Sequence, residues 1–164
     1  MPVKNESQHI NDAIQSVINQ SYNNLELIIV NDGSTDNTSA IISSFKDDRI
    51  ILIDTKGVGK NNAFNLAYQK ARGLFFCCFA GDDIMPQDSI EKRLSAFQKP
   101  ATIPQVVLSK LQMFSEDKRF DGVIIPRADE GGYSGGTMMF SKKLADEIFP
   151  LPTILANEDM WISL

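Results

Sequence analysis

The stretch that most limits the folds open to this chain is Leu25–Asp36, which reads LELIIVNDGSTD. It begins as a short apolar run rich in β-branched side chains, which predicts a buried strand. The run breaks at Asn31-Asp32-Gly33-Ser34, where turn chemistry takes over. Gly33 permits a positive φ, and Asn, Asp and Ser side chains can satisfy their own backbone. A helical pattern follows, with Thr35 or Asp36 placed to cap it. In a parallel α/β sheet such a corner lies at the carboxyl ends of the strands, where ligands bind. Asp32 is therefore expected as an acceptor-only carboxylate at the mouth of a crevice, although an Asp at this place also serves simply to close a tight turn.

Strand and helix patterns alternate around this corner. Met1–Glu6 reads as a loop, and Ser7 is placed to cap a helix with Ile10, Ala13, Ile14, Val17 and Ile18 on one face. Ser21–Asn24 turns the chain into the strand. A short helix over 36–45 carries Ile41, Ile42 and Phe45, and Arg49–Asp54 reads as a second apolar strand. Gly57–Asn62 is a glycine-bearing loop without the spacing of a Walker loop or a dinucleotide fingerprint. The next helix buries Ala63, Phe64, Ala67, Tyr68 and Ala71 and stops at Gly73. Leu74–Ala80, the most apolar run, predicts a central strand ending in Gly81-Asp82-Asp83, and a helix with Ile90, Leu94 and Phe97 follows Pro86. Three alternations of this kind predict an α/β fold with a doubly wound, mostly parallel sheet.

The pattern loosens beyond Pro100. Residues 106–114 fit a strand or a short helix, 115–119 a charged turn, and Val123–Ile125 a short strand. Gly131–Gly136 reads as flexible; Thr137–Phe140 is apolar, and Ser141 caps a helix to about Ile148. Asn157–Trp161 opens a last helix.

Composition narrows the function classes. A chain of 164 residues suits one domain with a real core. Its net charge of −5 supplies no field for nucleic acid, whereas a phosphorylated ligand is compatible if a divalent cation offsets the charge. The single histidine, His9, excludes a multi-histidine metal site and falls off the apolar stripe, as a solvated residue does. Cys77 and Cys78 are adjacent, so they suit neither a bridge to each other nor a shared metal, and read as small buried side chains in a reducing compartment. No stretch reaches the length of a membrane span and no signal peptide opens the sequence.

Asp82-Asp83 at a strand end suits a hard cation such as Mg²⁺ or Mn²⁺, which takes carboxylates together with phosphate oxygens and water. The same pair also suits the start of the following helix, where negative charge is favourable.

Taken in order, these features resemble the family 2 glycosyltransferases, which have the GT-A fold. The matching segments are Met1–Glu6, Ala13–Tyr22, Val30–Asp36, Asn65 with Ala71-Arg72-Gly73, Gly81-Asp82-Asp83 and Asn157–Trp161. The resemblance implies that Asp32 accepts a hydrogen bond from a nucleotide base, with Pro2, Val3, Asn5 and Glu6 lining the pocket and Ser34, Asn65, Lys60 and Asp82 also facing the nucleotide. It implies that Asp82, and second Asp83, hold Mn²⁺ or Mg²⁺ against the diphosphate of a sugar nucleotide, by default a UDP-sugar. Glu158-Asp159 matches the motif that supplies the general base, with Asp159 taking the proton of an acceptor hydroxyl and the anomeric carbon inverting. Gly135, Gly136 and Trp161 fall on the acceptor side, and the implied acceptor is a glycan or lipid-linked saccharide in the cytoplasm or at the inner membrane face. Residues 1–98 correspond to the nucleotide-sugar half of one incomplete domain, and 99–164 to part of the acceptor half.

The chain departs from the family pattern in places. Ala80 stands where the DxD motif has its first aspartate, and Pro86 comes one residue early, which leaves the choice between Asp82 and Asp83 open. Phe64 replaces the usual arginine, leaving Lys60 to reach the phosphates. Family members carry an apolar central strand ahead of the segment matching Pro2–Asn5 and continue beyond the base motif, so the resemblance implies truncation at both ends and an open slot in the sheet. A catalytically silent sugar-nucleotide-binding domain is the alternative. A nucleotidyltransferase is disfavoured, because Lys4-Asn5-Glu6-Ser7 stands where its glycine-rich basic loop would be.

Overall fold

The strand expected from Leu25 forms as β2 (Leu27–Asp32), with β1 (Pro2–Val3) and β3 (Ile50–Thr55) parallel to it on either side. All six residues of β2 are buried, which an unbroken apolar run needs when both faces of a strand are covered. The structure is a computed structural model that describes residues 1–97, 103–126, 131–132 and 135–154.

One face of this sheet is closed by α1 (Ile10–Ile18) and α2 (Thr38–Ser44), whose Ile10, Ala13, Ile14, Val17 and Ile42 pack with Leu27 and Ile29. The other face is closed by α3 (Lys60–Lys70), through Ala63 and Ala67 against Ile28 and Val30. Each fully buried aliphatic side chain in these layers contributes roughly 1.5–3 kcal/mol. Ser7 does not cap α1: the helix starts three residues later, after a turn in which the Glu6 carbonyl accepts from the His9 and Ile10 N–H groups. The cap position of α2 is Asn37, whose side chain makes no cap bond; Asp36, one residue earlier, accepts from both the N–H and the hydroxyl of Thr38.

The strand from the most apolar run is shorter than expected and lies elsewhere. β4 (Phe75–Cys77) does not join the parallel sheet but forms the edge of an antiparallel one, in the order β4, β8 (Met138–Ser141), β5 (Val106–Leu108). α4 (Ser89–Ser95) follows β4, and a two-stranded ribbon of β6 (Leu111–Gln112) and β7 (Ile124–Ile125) completes the sheets. The undecided 106–114 stretch is therefore two short strands. Ser141 starts α5 (Lys142–Ile148) as predicted, its hydroxyl accepting from the Leu144 N–H. Phe64, Cys78, Met138, Phe140 and Leu151 make a second core between α3 and the antiparallel sheet.

Between β2 and β4 lies a cavity of about 630 Å³, lined by Leu27, Ile28, Ala67, Phe76, Cys78 and Leu94 among others. Its far end is bridged by Glu26, whose carboxylate accepts from the backbone of Arg72 and Gly73. Neither cysteine forms a disulfide, and His9 is exposed. No helix among the described residues is long and apolar enough to cross a membrane.

Candidate functional site

β1, β2 and β3 run parallel, so Val3, Asp32 and Thr55 end at the same side of the sheet, and the site grows from that rim. Asp32 is buried rather than open, at 6% exposure. Its Oδ1 accepts from the Thr55 hydroxyl at 2.5 Å and the Val58 N–H at 2.6 Å, while Oδ2 accepts from the Gly59 N–H at 2.9 Å. Burial opposes the charged form, but those three donors, helped by nearby Lys4, outweigh it and hold the carboxyl below its ordinary range. Asp32 therefore closes the loop leading into α3, which turns through Gly57 and Gly59 at φ near +89° and +88°. A carboxylate has about four acceptor positions, so one remains for a ligand.

Gly33 is required here. It sits at φ +73°, and a Cβ on it would meet the Gly57 nitrogen at 3.0 Å. The turn after it is laced to the first loop in both directions. The Asn5 N–H donates to the Ser34 hydroxyl and the Thr35 N–H to the Asn5 side-chain carbonyl, at 3.0 and 2.8 Å. The Glu6 N–H donates to Thr38 and the Ser7 N–H to Asp36, at 2.8 and 3.1 Å. Asn5 and Ser34 thus hold each other, and Asn5 takes a φ of +58° to do so.

The acidic corner meets the same loop. A Cβ on Gly81 would lie 2.7 Å from the Val3 side chain and 3.3 Å from that of Glu6, so only glycine lets the 80–83 turn dock there. Asp82 and Asp83 both face solvent. Partial burial and then the charge of Asp82 push the Asp83 carboxyl up, against the opposing pull of the Ala80 N–H and Lys60. Burial and then Asp82 also raise Glu6. A cation placed against the Asp83 and Glu6 carboxyls would relieve both of these upward shifts. Among the described residues no three acidic, His or Cys side chains could by themselves hold a metal. Two neighbouring carboxylates without soft ligands suit Mg²⁺ or Mn²⁺, provided a substrate and water complete the shell.

The remaining predicted residues divide. Lys60, at the start of α3, lies close enough to Asp83 to influence its charge. Gly136, in the short 3-10 turn Gly135–Thr137, lies beside Asp83: its ideal Cβ would be 3.2 Å from the Asp83 Oδ2. Asn65 is further along α3, where its side chain accepts from and donates to the backbone of Leu151, at 2.6 and 3.0 Å. Phe64 is packed in the second core. Glu158, Asp159 and Trp161 lie outside the described residues. Sequence reasoning missed Thr55 and the Val58 and Gly59 N–H groups on Asp32. The two glycines bracketing Val58 were the available signal.

Comparison with known proteins fits this arrangement. Residues 1–149 match the family described as Glycosyl transferase family 2. A glycosyltransferase of Haemophilus influenzae, itself uncharacterized, is 40% identical over 98 residues, which is 58% of this chain and 39% of that one. The chain spans less than two-fifths of the length of such curated relatives. Staphylococcus aureus TarS 1–349 in complex with UDP-GlcNAc superposes with a TM-score of 0.80 at 18% identity, covering 98% of this chain and 50% of TarS. A mannosyltransferase from Pyrobaculum calidifontis, in complex with GDP-Man and Mn²⁺, gives 0.74 at 20% identity over 96% of this chain and 48% of that one. At such identities the superpositions establish the GT-A fold.

Proposed function

The chain belongs to glycosyl transferase family 2, and from that premise we propose that it carries the donor site of an enzyme that moves a sugar from a nucleotide-sugar to a hydroxyl acceptor with inversion. The donor is a UDP-sugar and the acceptor a glycan or lipid-linked saccharide, met in the cytoplasm or at the inner membrane face. The observation that carries this reading is the docking of Gly81-Asp82-Asp83 onto the Val3–Glu6 loop, at the same sheet rim as Asp32. It brings the proposed base-facing loop and the proposed cation ligands to one rim of the sheet.

In this reading the loop of Pro2, Val3, Asn5 and Glu6 walls the base, and Asp32 offers it the remaining lone pair. Lys60, with Asn65 behind it, faces the phosphates. Asp82 and Asp83 hold Mn²⁺ or Mg²⁺, which supplies positive charge to the departing diphosphate. Asp159, of the Glu158-Asp159 pair, accepts the proton of the acceptor hydroxyl as its oxygen bonds to the anomeric carbon. The bond from that carbon to the diphosphate breaks, and the nucleoside diphosphate leaves with the electron pair. Residues 1–98 form the donor half, and 99–164, with Gly135, Gly136 and Trp161, border the acceptor.

Thermal unfolding with UDP, GDP, dTDP and CMP, each with and without Mn²⁺, tests the donor site. A ligand at a hundred times its Kd adds about 2.7 kcal/mol, which for this size raises Tm by roughly 5–10 °C. The expected outcome is a Mn²⁺-dependent rise with UDP, lost in Asp82→Asn and kept in Asp159→Asn, whose sugar transfer is abolished. A rise that ignores Mn²⁺ and Asp82 would sink the reading. A second reading, a domain that binds sugar nucleotides without turning them over, draws on Phe64, which is core where the family carries an arginine. It is the outcome if Asp159→Asn changes nothing measurable.

A further inference from the structure

Among the described residues Arg93 is the one buried cationic side chain, and the proposed reaction leaves it without a task. It projects from the last turn of α4 and is 8% exposed. One terminal nitrogen donates to the Gly136 carbonyl at 3.0 Å, and the other approaches the Cys77 Sγ at 3.8 Å. Its Nε finds no partner among the described residues. A buried guanidinium costs several kcal/mol to desolvate and is offset only by good partners. Here the partners of its terminal nitrogens are a neutral carbonyl and a thiol whose own ionisation burial disfavours. For stability alone this is a poor arrangement, and an apolar side chain of similar length would serve as well.

The geometry gives it another purpose. Gly136 is fixed from behind by Arg93, and its front abuts the Asp83 carboxylate. The contact is tight enough that a Cβ at 136 would lie 3.2 Å from Oδ2. Thr137, the next residue, is anchored by its hydroxyl donating to the Gly132 carbonyl at 2.6 Å, and its carbonyl accepts from Ser109. The turn is therefore a rigid stop rather than a compliant neighbour.

We propose that Arg93 and Gly136 are positioning residues for the cation corner: the guanidinium sets the Gly136 turn, and that turn sets the Asp83 carboxylate beside Asp82. The inference rests on the proposed metal-dependent reading and adds to it a task for Gly136 on the donor side. A Cβ at 136 would sit 3.2 Å from the Asp83 Oδ2 and push that exposed carboxylate aside by a few tenths of an ångström, so glycine lets it keep its place. An arginine is needed at 93 because only a long, multiply donating side chain spans from α4 under β4 to that carbonyl.

The test measures Mn²⁺ affinity by electron paramagnetic resonance in the presence of saturating UDP, and Tm without either ligand, for the full chain and for Arg93→Met, Arg93→Lys and Gly136→Ala. Displacing a group that orients a metal ligand lowers metal affinity by roughly 10–100-fold. The expected result is a loss in that range for Arg93→Met and Gly136→Ala, a smaller loss for Arg93→Lys, and Tm values within a few degrees of the parent. Variants with lowered Tm but parental Mn²⁺ affinity would overturn the proposal and leave Arg93 a packing residue. If the parent chain itself binds no Mn²⁺ with UDP, the metal-dependent reading fails, and the proposal with it. Parental affinity with unchanged affinity in Gly136→Ala defeats the proposal alone.

Discussion

At the scale of single residues, the site is governed by carboxylates that hold loops as well as charge. Asp36 is the clearest case. Its Oδ1 accepts from the hydroxyl and the N–H of Thr38, and its Oδ2 accepts from the Ser7 N–H. One carboxylate thus holds Thr38, the first residue of α2, and pins the loop that carries Asn5 and Glu6. The Thr38 hydroxyl is the main reason its carboxyl lies well below the ordinary 3.8; partial burial opposes the shift, and the Thr38 and Ser7 N–H groups add to it. A depressed carboxyl value means that the unfolded chain binds the proton more readily. The stabilisation is then fully present above pH 4 and is lost as the pH falls below the unfolded value toward the folded one. Asp36→Asn should lower Tm by a few degrees at pH 7 and flatten the acid limb of the Tm–pH curve below pH 4. A variant whose Tm falls with acid as steeply as the parent would show that Asp36 does not carry this dependence.

At the scale of elements, the Ser141 cap and the Gly33 corner were legible, whereas the start of α1 and the pairing of the strands were not. β2, α1 and α3 follow from apolar periodicity, and the Gly33 turn from the one residue type that tolerates its φ. Ser141 was also legible as a cap, yet its second duty was hidden. Its hydroxyl accepts from the Leu144 N–H within α5 and from the Gln105 N–H at the entry to β5, a partner thirty-six residues away. With Ser141 at 2% exposure, Ser141→Ala removes the acceptor of two part-buried N–H groups. The expected cost is about 2 kcal/mol, above the ~1 kcal/mol of a cap alone, and is read as a fall in Tm of roughly 4–8 °C. A fall no greater than that of an ordinary cap would mean that the Gln105 contact contributes nothing. β4 illustrates what a local pattern misses. Its apolar run is compatible with any buried ladder, and the choice of β8 as partner depends on residues more than sixty positions away. Likewise, nothing near Asp32 in sequence announces Thr55, and nothing near Asp83 announces Gly136.

At the scale of the whole molecule, the two main sheets do not share a ladder among the described residues. The parallel sheet joins β1, β2 and β3; the antiparallel sheet joins β4, β8 and β5; and the space between β2 and β4 is a largely apolar cavity of about 630 Å³. An open space that size leaves its lining without protein partners on one side, and packing between the two strands is correspondingly sparse, although Phe79 and Met85, beyond β4, pack with Leu27 and Ile29. The burial pattern agrees: β2 is buried along its whole length, whereas all three residues of β4 are only half-buried. Local stability follows the density of buried contacts, so the sheets should open as separate cooperative units. The β6–β7 ribbon, with Leu111, Ile124 and Ile125 exposed, should open most readily of all. Native-state hydrogen exchange under increasing denaturant checks this. The bonded amides of β2 and β3 should exchange only through the largest opening, with a denaturant slope near that of global unfolding. Those of β4 and β8 should exchange through a smaller opening with a lower free energy and a shallower slope, and those of β6 and β7 with little slope. If β4, β8 and β2 merge into one isotherm from the lowest denaturant, the α3 and Glu26 contacts that bridge the cavity suffice to make one cooperative unit. The Asp82–Asp83 corner sits on the turn leaving β4, while Asp32 ends β2. Independent opening would therefore part Asp82 and Asp83, the proposed cation ligands, from Asp32. A ligand contacting both would join the units, and UDP with Mn²⁺ should then raise the β4 and β8 opening free energies more than those of β2.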